Sequence, residues 1–534
     1  MKQKLLSLLV ILTTALTTSV SATEFEIGDL MYSINDDGAS VTVVAFDVNS
    51  STKNVVIPAN VTYENKDYSV TTISNYAFYS TLIKSVTIPS TITSISSMAF
   101  GECGSLQSVY ITDLAAWCSI NFYDLEDNPL YYAHHLFLNG QEIKHLEIPN
   151  SITAIGNYAF SGCSGLTNVT IPSSVTEIGY YAFYGCNGLT SLTIPNSVTE
   201  IKNYSFSGCS GLSSITIPSS VTAISNNAFS GCTGLTSVIW NAKYIVSCSP
   251  FSGLSNIKSF TFGNEVERIP DNLCSRLSGL TKVTIPNSVK SIGDYAFNGC
   301  TGLNTVTIGN SVTSIGQSAF YNCTNLPNVT IPHSVKSIGQ SAFYNCTNLT
   351  NVAIPNSVTS IGQSAFYGCS GLTNVTIGNS VKSIGDYAFW NCHGLTSVTI
   401  PNSATYIGSM AFNNCTSLKS IYSYIENPQN VSLAMSIFYK VDKTTCTLFV
   451  PVGTVNLYKA AEQWKDFINI KEMSGSSIVA GDVNGDSVVS GADVTALYNV
   501  LLDGATASGS ADVNGDGVVS GADVTALYNL LLGQ

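Results

Sequence analysis

The sequence is poor in charge, and poorest in basic residues. Only 10% of its 534 residues are charged, and 21 Lys and Arg stand against 34 Asp and Glu, for a net charge of −13. Nucleic-acid binding is excluded, because it needs a basic face that neutralises phosphates. Apolar residues make up 45% of the chain, so the surface must be built largely from Ser, Thr and Asn.

Long apolar runs are scarce as well. A run from Leu5 to Leu12 follows two lysines and precedes small residues up to Ala22. It is too short to span a bilayer with confidence and has the layout of a secretory signal peptide. No later run approaches 18 residues. We therefore expect residues 1–22 to be a removed signal peptide and the mature protein to be secreted, with no membrane insertion and with any cell-surface attachment made through a partner.

Recognisable catalytic motifs are missing too. The five histidines neither repeat nor sit in a nucleophile or acid–base setting, and no G-x-S-x-G, H-E-x-x-H or phosphate-cradling loop occurs. The sequence therefore indicates a non-catalytic protein. One alternative stays open, a polysaccharide hydrolase that uses carboxylates of segment 113–147.

What the sequence does contain is a repeat of 23 residues. A phenylalanine marks each unit, and a cysteine follows it three residues later. The phenylalanines are Phe160, Phe183, Phe206, Phe229, Phe297, Phe320, Phe343, Phe366, Phe389 and Phe412. Aligned, the unit reads C-x-x-L-x-x-V-x-I-P-x-x-V-x-x-I-G-x-x-A-F. A fixed period of this length is typical of solenoids.

Each unit predicts one coil. Val352 and Ile354 alternate with a small residue, as in a short strand with one buried face. Pro355 ends that strand, Gly362 is expected to allow a tight turn, and Phe366 packs the returning side. A single coil cannot bury this apolar set, so the coils must stack.

These repeats resemble the BspA-like leucine-rich repeats of bacterial surface proteins. The resemblance covers about 23–473 and implies a β-rich leucine-rich-repeat solenoid. The period is broken at 113–147 and 240–282, which we interpret as insertions or irregular coils. After residue 426 the repeat pattern is no longer recognisable, so 426–473 is expected to form a C-terminal cap.

The cysteines favour a packing role. The chain has 15 Cys but no C-x-x-C cluster of the kind that binds metal. Ten of them recur at the 23-residue spacing, so equivalent thiols of stacked coils lie about 4.8 Å apart. Parallel Cβ vectors suit a disulfide poorly. A ladder of buried free thiols is therefore favoured over disulfides.

Aromatic residues form two further columns. One lies two positions before the repeat phenylalanine, at Tyr158, Tyr181, Tyr204, Tyr295 and Tyr387. The other lies just after it, at Tyr184, Tyr321, Tyr344, Tyr367 and Trp390. Such columns either stack on sugars or a protein partner, or merely cover the edge of the phenylalanine column. The second interpretation is favoured, because both positions adjoin a core residue.

The chain ends on a duplicated acidic loop. The segment "DVNGDSVVSGADVTALYNVLL" at 482–502 recurs at 512–532 with two differences, while 475–534 contains seven Asp and no Lys or Arg. The loop positions that carry oxygen ligands in a twelve-residue calcium loop hold Asp482, Asn484, Asp486, Val488, Ser490 and Asp493, then Asp512, Asn514, Asp516, Val518, Ser520 and Asp523. Hard oxygens at this spacing suit Ca²⁺, so we predict two calcium ions.

A helix follows each loop but none precedes the first. Val494, Leu497, Tyr498 and Leu501 give one apolar face, whereas 474–481 reads as a flexible linker. Two such loop-helix halves over 482–534 resemble a type I dockerin module, small and all-α, which implies calcium binding and a cohesin partner on a scaffoldin or surface protein. The resemblance places partner contacts at Gly491, Ala492, Tyr498, Asn499, Gly521, Ala522, Tyr528 and Asn529. The two tyrosines also fall on the apolar face of their helices, so they alternatively belong to the core between the halves.

Together these features predict a secreted binding protein of the polysaccharide catabolic machinery. Its solenoid would bind a glycan or a host protein, and its dockerin-like domain would attach it to a cohesin-bearing assembly. The alternative is a cell-surface adhesin whose calcium module is only a structural clamp.

Overall fold

The computed structural model describes residues 23–473, 482–484, 489–503, 511–513 and 519–532. The predicted signal peptide and linker lie outside these residues, as do parts of both acidic loops. Buried apolar side chains form two clusters. The first extends from Phe25 to Phe467, and the second from Val483 to Leu527.

Parallel strands of up to four residues line one side of the solenoid. Successive coils contribute Asn54–Val56, Ser85–Ile88, Ser108–Ile111, Leu136–Leu138, His145–Glu147, Asn168–Thr170, Ser191–Thr193, Ser214–Ile217, Ser237–Trp240, Ser259–Phe262, Lys282–Thr284, Thr305–Thr307, Asn351–Ile354, Asn374–Ile377, Ser397–Ile400, Ser420–Ser423, Thr447–Val450 and Asn469–Glu472. We call this set the long-strand row. Its alternate residues are buried, as the pattern of Val352 and Ile354 predicts.

A second row consists mainly of two-residue strands. It runs through Ser94–Ile95, Asn121–Phe122, Ala154–Ile155, Glu177–Ile178, Glu200–Ile201, Ala223–Ile224, Arg268–Ile269, Ser291–Ile292, Ser314–Ile315, Ser337–Ile338, Ser360–Ile361, Ser383–Ile384, Tyr406–Ile407 and Ser432–Leu433. Pairing is parallel and offset by one repeat, as between Ile361 and Ile384. The side that carries the repeat phenylalanine also bonds from coil to coil, since the amide of Phe366 donates to the carbonyl of Ala388 at 2.8 Å.

The repeat phenylalanines stack into a spine with two main runs, Phe160 to Phe251 and Phe297 to Phe438, and Cys274 holds the equivalent position between them. Phe343 and Phe366, for example, lie with ring centroids 5.3 Å apart and planes within 6° of parallel. The cysteine three residues on is buried and its thiol donates to the phenylalanine carbonyl of the preceding coil, as from Cys369 to Phe343 at 3.1 Å. The carbonyl of Phe343 already accepts from the amide of Cys346 at 3.3 Å, so the thiol of the next coil adds a second bond to the same oxygen.

The turn glycine has a different role from the one that the sequence suggests. A tight turn does follow Gly362, whose carbonyl accepts from the amide of Ala365 at 3.2 Å, but Gly362 itself does not adopt the left-handed conformation. A Cβ atom there would lie 2.6 Å from the backbone nitrogen of Gln340, in the preceding coil. The glycine therefore permits close approach of neighbouring coils. Left-handed residues occur instead on either side of the phenylalanine, at Ser364 with φ 55° and Gly368 with φ 71°.

Antiparallel β-hairpins form the N-terminal end of the solenoid. Glu24–Ile27, Leu30–Ile34 and Ser40–Phe46 pair antiparallel, and so do Asn60–Tyr63 and Lys66–Ile73. Ser40–Phe46 then pairs in parallel with Lys66–Ile73, which leads into the second row at Ser94–Ile95. The hairpins cover the first coil, whose apolar face would otherwise meet water.

Segment 113–147 is an irregular coil. It contains helix α1 (Leu114–Cys118), the 3₁₀ turn Leu125–Asp127, helix α2 (Leu130–Ala133) and the short strand Gln141–Glu142. Both rows reach into it, because Asn121–Phe122 pairs with Ser94–Ile95 and Leu136–Leu138 pairs with Ser108–Ile111. Separate sheets then begin at His145–Glu147 and Ala154–Ile155.

Segment 240–282 is a coil of altered length. Ser237 pairs with Ser259 and Ser259 pairs with Lys282, so the first of these steps is one residue shorter than the usual repeat. The long-strand row continues through this step, whereas the paired second row ends at Ala223–Ile224 and a separate sheet begins at Arg268–Ile269.

The C-terminal end of the solenoid is closed by aromatic residues. The 3₁₀ turn Pro428–Asn430 and helix α3 (Val455–Ala460) lie in this region. Phe438 extends the spine beyond Phe412, and the buried Trp464 packs on Phe438 at 5.2 Å and on Tyr458 at 5.4 Å. The fold is a β-rich solenoid, as the repeat predicts, and it is followed by helices α4 (Gly491–Asp503) and α5 (Gly521–Leu532).

Candidate functional site

The two C-terminal helices pack against each other through small apolar contacts. Leu497 and Leu527 are fully buried between them, together with Val494 and Val524. A serine caps the N-terminus of each helix. The Ser490 hydroxyl accepts a hydrogen bond from the amide of Ala492 at 3.1 Å, and Ser520 does the same for Ala522.

The structure describes part of each acidic loop. The described residues include Asp482, Asn484, Ser490 and Asp493 of the first loop, and Asp512, Ser520 and Asp523 of the second. Asp486, Val488, Asn514, Asp516 and Val518 lie outside the described residues. Across the described part of the chain, no three His, Cys, Asp or Glu side chains come together as a metal cluster.

The last carboxylate of each loop joins its two ends. Asp493 accepts hydrogen bonds from the amides of Val483 at 2.9 Å and Asn484 at 3.0 Å through Oδ1, and from the amide of Ser490 at 2.8 Å through Oδ2. This side chain is fully buried. Sequence reasoning assigned it only a ligand position, since spacing alone gives no sign of the bonds to the loop's first residues.

The second loop repeats this arrangement. Asp523 is also fully buried and accepts from the amides of Val513 and Ser520, both at 2.8 Å. Burying a carboxylate is costly unless other groups compensate its charge. The segment 475–534 has no Lys or Arg, so its own sequence supplies no cation. The donor set, carboxylates with an amide and a hydroxyl, fits Ca²⁺.

The predicted partner contacts lie at the surface. Tyr498 and Tyr528 are 46% and 48% exposed and belong to neither apolar cluster, which rules out the alternative that they form the core between the halves. The other predicted partner-contact residues are exposed, except for the half-buried Asn499. They are Gly491, Ala492, Asn499, Gly521, Ala522 and Asn529.

The aromatic columns of the solenoid are half-buried and stacked on themselves. Tyr158 and Tyr181 lie 5.2 Å apart with planes 11° from parallel, and Tyr344 and Tyr367 lie 4.4 Å apart at 5°. Burial raises the pKa of Tyr344 to about 12. Tyr181 and Tyr344 have a ring stacked on each face, so these inner members of the columns offer edges to solvent rather than open faces. The geometry therefore favours a covering role over sugar stacking.

All fifteen cysteines are free and buried. Burial raises the pKa of Cys346 from 9.0 to about 12 and keeps the thiol neutral. The favoured interpretation of the cysteines as small buried residues agrees with this arrangement.

Asp127 and Asp113, two of the carboxylates of 113–147, serve local structure. Asp127 is fully buried and accepts from the amides of Met98 at 2.8 Å and of Tyr123 and Asp124 at 2.7 Å. Asp113 caps helix α1 through the amide of Ala115. These bonds give the hydrolase alternative no support. The solenoid fold and its repeat family point instead to a non-catalytic protein.

This geometry defines a class, a leucine-rich-repeat solenoid with a C-terminal loop-helix pair. The chain belongs to the BspA type leucine rich repeat region family, whose model matches in six copies over 71–126, 132–246, 245–369 and 336–455. Residues 480–532 match the dockerin type I domain. Type I dockerin domains bind calcium and dock into cohesins.

Several solved structures resemble the chain. A leucine-rich repeat protein from Bacteroides ovatus is 25% identical, with 84% of this chain and 99% of that chain covered and a TM-score of 0.46. A leucine rich cell surface protein from Faecalibacterium prausnitzii is 28% identical, with coverages of 67% and 95% and a TM-score of 0.38. The leucine rich repeat protein of T. pallidum is 29% identical, with coverages of 34% and 83% and a TM-score of 0.28. No curated protein matches the chain.

Proteins of these two families are typically extracellular or surface-associated. Within the described residues, none of the helices combines the length and the apolar character needed to cross a bilayer.

Proposed function

We propose that this protein is a secreted, non-catalytic binding component of a polysaccharide-degrading assembly. The solenoid holds a glycan or a host protein, and the dockerin module attaches it to a cohesin on a scaffoldin or surface protein. The observation that carries the proposal is the joining of a repeat solenoid without a catalytic arrangement to a duplicated dockerin module.

The calcium sites follow from the loops. We assign one ion to each loop, held in the first by Asp482, Asn484, Asp486, Ser490, Asp493 and the backbone of Val488. In the second, the ligands are Asp512, Asn514, Asp516, Ser520, Asp523 and the backbone of Val518. Calcium offsets the repulsion among the carboxylates of a loop that has no basic residue, and so supplies folding free energy to a module with a small core. Within each loop, Asp493 and Asp523 also tie the loop ends together through backbone amides.

The cohesin contacts are assigned to the exposed residues around the start and middle of each helix. Tyr498 and Tyr528 are the natural anchors, since a large, exposed ring with a hydroxyl group gains most from burial in an interface. The paired helices place one such ring on each half, so two equivalent patches are available.

The alternative function is a cell-surface adhesin in which the calcium module only clamps the C-terminus. The exposure of both tyrosines favours the docking proposal, because a clamp gains nothing from exposing large rings.

The two functions are separated by a pull-down from an extract of the source cells. The full chain is used as bait in 2 mM calcium or in excess EDTA, in parallel with a Tyr498→Ala, Tyr528→Ala double variant. Calcium-dependent capture of a cohesin-bearing protein by the native chain alone supports the proposal. Equal capture in EDTA, or equal capture by the double variant, contradicts it.

A further inference from the structure

The solvent-facing side of the long-strand row carries a regular polar column. In each strand the residue between the two buried ones faces outward, and threonine holds this position in most coils from Thr170 to Thr399. At the N-terminal end the column changes to Val56, Thr87, Tyr110 and Phe137. The departure from threonine there introduces apolar and aromatic surface on a neutral face.

A shallow cavity of about 440 Å³ lies on this part of the row. Its floor is formed by outward residues of three neighbouring strands, including Val56, Ser85 and Thr87. Lys84, Gln107 and Tyr110 border it. Val56 is 66% exposed, so the cavity presents apolar surface together with amide and hydroxyl groups.

The two faces of the Tyr110 ring lie in different surroundings. Phe137 covers one of them, with ring centroids 4.7 Å apart and planes 26° from parallel. The neighbour on the other side of the column is Thr87, whose side chain is too small to cover a phenol ring. This ring therefore turns a face towards the cavity, in contrast to the self-stacked tyrosines beside the phenylalanine spine.

The polar groups of the cavity are arranged around that face. The Ser85 hydroxyl donates to Oδ1 of Asn54 at 2.9 Å and so fixes the orientation of the Asn54 amide. Gln107 and Lys84 are exposed at the border and carry further donors. None of the lining residues is acidic.

We propose that this cavity binds a pyranose unit of a polysaccharide. A sugar ring has an apolar C–H face that suits Tyr110 and Val56, and a rim of hydroxyls that suits fixed amides, hydroxyls and an ammonium group. The proposal rests on the proposed function, and it narrows the solenoid ligand from glycan or protein to a glycan at a defined place. A single bordering lysine accommodates either a neutral or an acidic sugar.

The chain supplies a matched control for Tyr110. Tyr422 occupies the same outward position at the far end of the row, lies beside Thr399, and stacks on Phe449 at 4.8 Å. It is not among the residues that line the cavity. The test titrates the full chain with cello-, xylo- and manno-hexaose and with hexagalacturonate by calorimetry, in calcium. The variants are Tyr110→Ala, Tyr110→Phe, Gln107→Ala and Tyr422→Ala, with melting temperatures recorded for each.

At least one oligosaccharide should bind the native chain. Tyr110→Ala should weaken it about tenfold or more, and Gln107→Ala less, while Tyr110→Phe and Tyr422→Ala should stay within about threefold of the native chain. Whether the chain binds one of the neutral oligosaccharides or hexagalacturonate identifies the class of sugar. Failure of every oligosaccharide to bind, equal binding by Tyr110→Ala, or an equal loss in Tyr422→Ala overturns the proposal. Calcium-dependent cohesin capture by the same samples is independent of these results, so the proposed function stands or fails separately.

Discussion

The carboxylate of Asp493 reaches back across its loop to the amide of Val483, 2.9 Å away, and Asp523 repeats this contact with Val513 at 2.8 Å. Residues ten positions apart are thereby held together at the point where each helix begins. The same two side chains are proposed calcium ligands, which links loop closure directly to metal binding.

Changing Asp493 to Ala should lower calcium affinity about 10- to 100-fold at the first loop, because it removes a ligand and the group that closes the loop. Calorimetric titration of the chelator-stripped full chain measures the loss. Asp442→Ala is the control. Its carboxylate also accepts bonds from nearby residues, Thr444 and Thr445, but it belongs to the solenoid. An unchanged titration for Asp493→Ala, or an equal loss for the control, contradicts the assignment.

The buried ladder of cysteines predicts thiols that are unreactive in the native protein. With burial raising the pKa of Cys346 to about 12, almost no thiolate exists at pH 8. A chromogenic thiol reagent should therefore react slowly with the native chain and with all fifteen cysteines after unfolding in urea. Fewer than fifteen reactive thiols in the unfolded, unreduced chain would show that disulfides form.

The same shift predicts weaker stability at alkaline pH. The pKa of Cys346 rises from 9.0 to about 12 on folding, so its contribution is complete below pH 9 and is lost as pH rises towards 12. Cys415 and Tyr344, whose pKa values burial also raises to about 12, act in the same direction. The urea midpoint should thus fall between pH 8 and pH 10.5. A midpoint that is constant over this range would count against a neutral, buried ladder.

Glycine 362 should tolerate no side chain. Gly362→Ala places a Cβ 2.6 Å from backbone atoms of the preceding coil, so the coils must separate and stability should fall by about 1–3 kcal/mol. Gly104→Ala is the matched control, because nothing lies within 4 Å of its Cβ and its φ is not positive. Thermal unfolding of both variants measures the difference. A Gly362→Ala chain as stable as the control would refute close coil contact as the reason for this glycine.

The two exposed tyrosines of the dockerin module predict redundant docking. If the patches are equivalent, Tyr498→Ala or Tyr528→Ala alone should weaken cohesin binding little, because the other half still serves. The double variant should lose most of the affinity. Surface plasmon resonance on an immobilised cohesin compares the three variants. Loss of binding from just one single change would mean that one face does all the work and that duplication serves folding.

Regular periodicity made the solenoid predictable from sequence. Phe366 and its equivalents recur with fixed spacing, and stacking the coils of a solenoid buries them as one column. The turn after Gly362 was predicted, but its close contact with the preceding coil was missed, because a sequence cannot distinguish a glycine needed for its φ from one needed for contact with another coil. The bonds of Asp493 were missed for a related reason, since they form between residues that are close only after the loop folds.

The cavity near Tyr110 was also missed. Outward positions of the long-strand row carry no apolar period, and the step from Tyr110 to its partner Phe137 is longer than the usual 23 residues. The usable signal was the replacement of small outward residues by two aromatic residues in adjacent coils. It becomes visible only when the strand register is known.

The most direct test of the account is calcium-dependent attachment. The affinity of the purified full chain for a cohesin is measured by calorimetry in 2 mM calcium, after chelation, and after calcium is restored. The account predicts tight binding, its loss on chelation, and its full recovery. Binding that survives chelation, or no binding to any cohesin of the source organism, would contradict it.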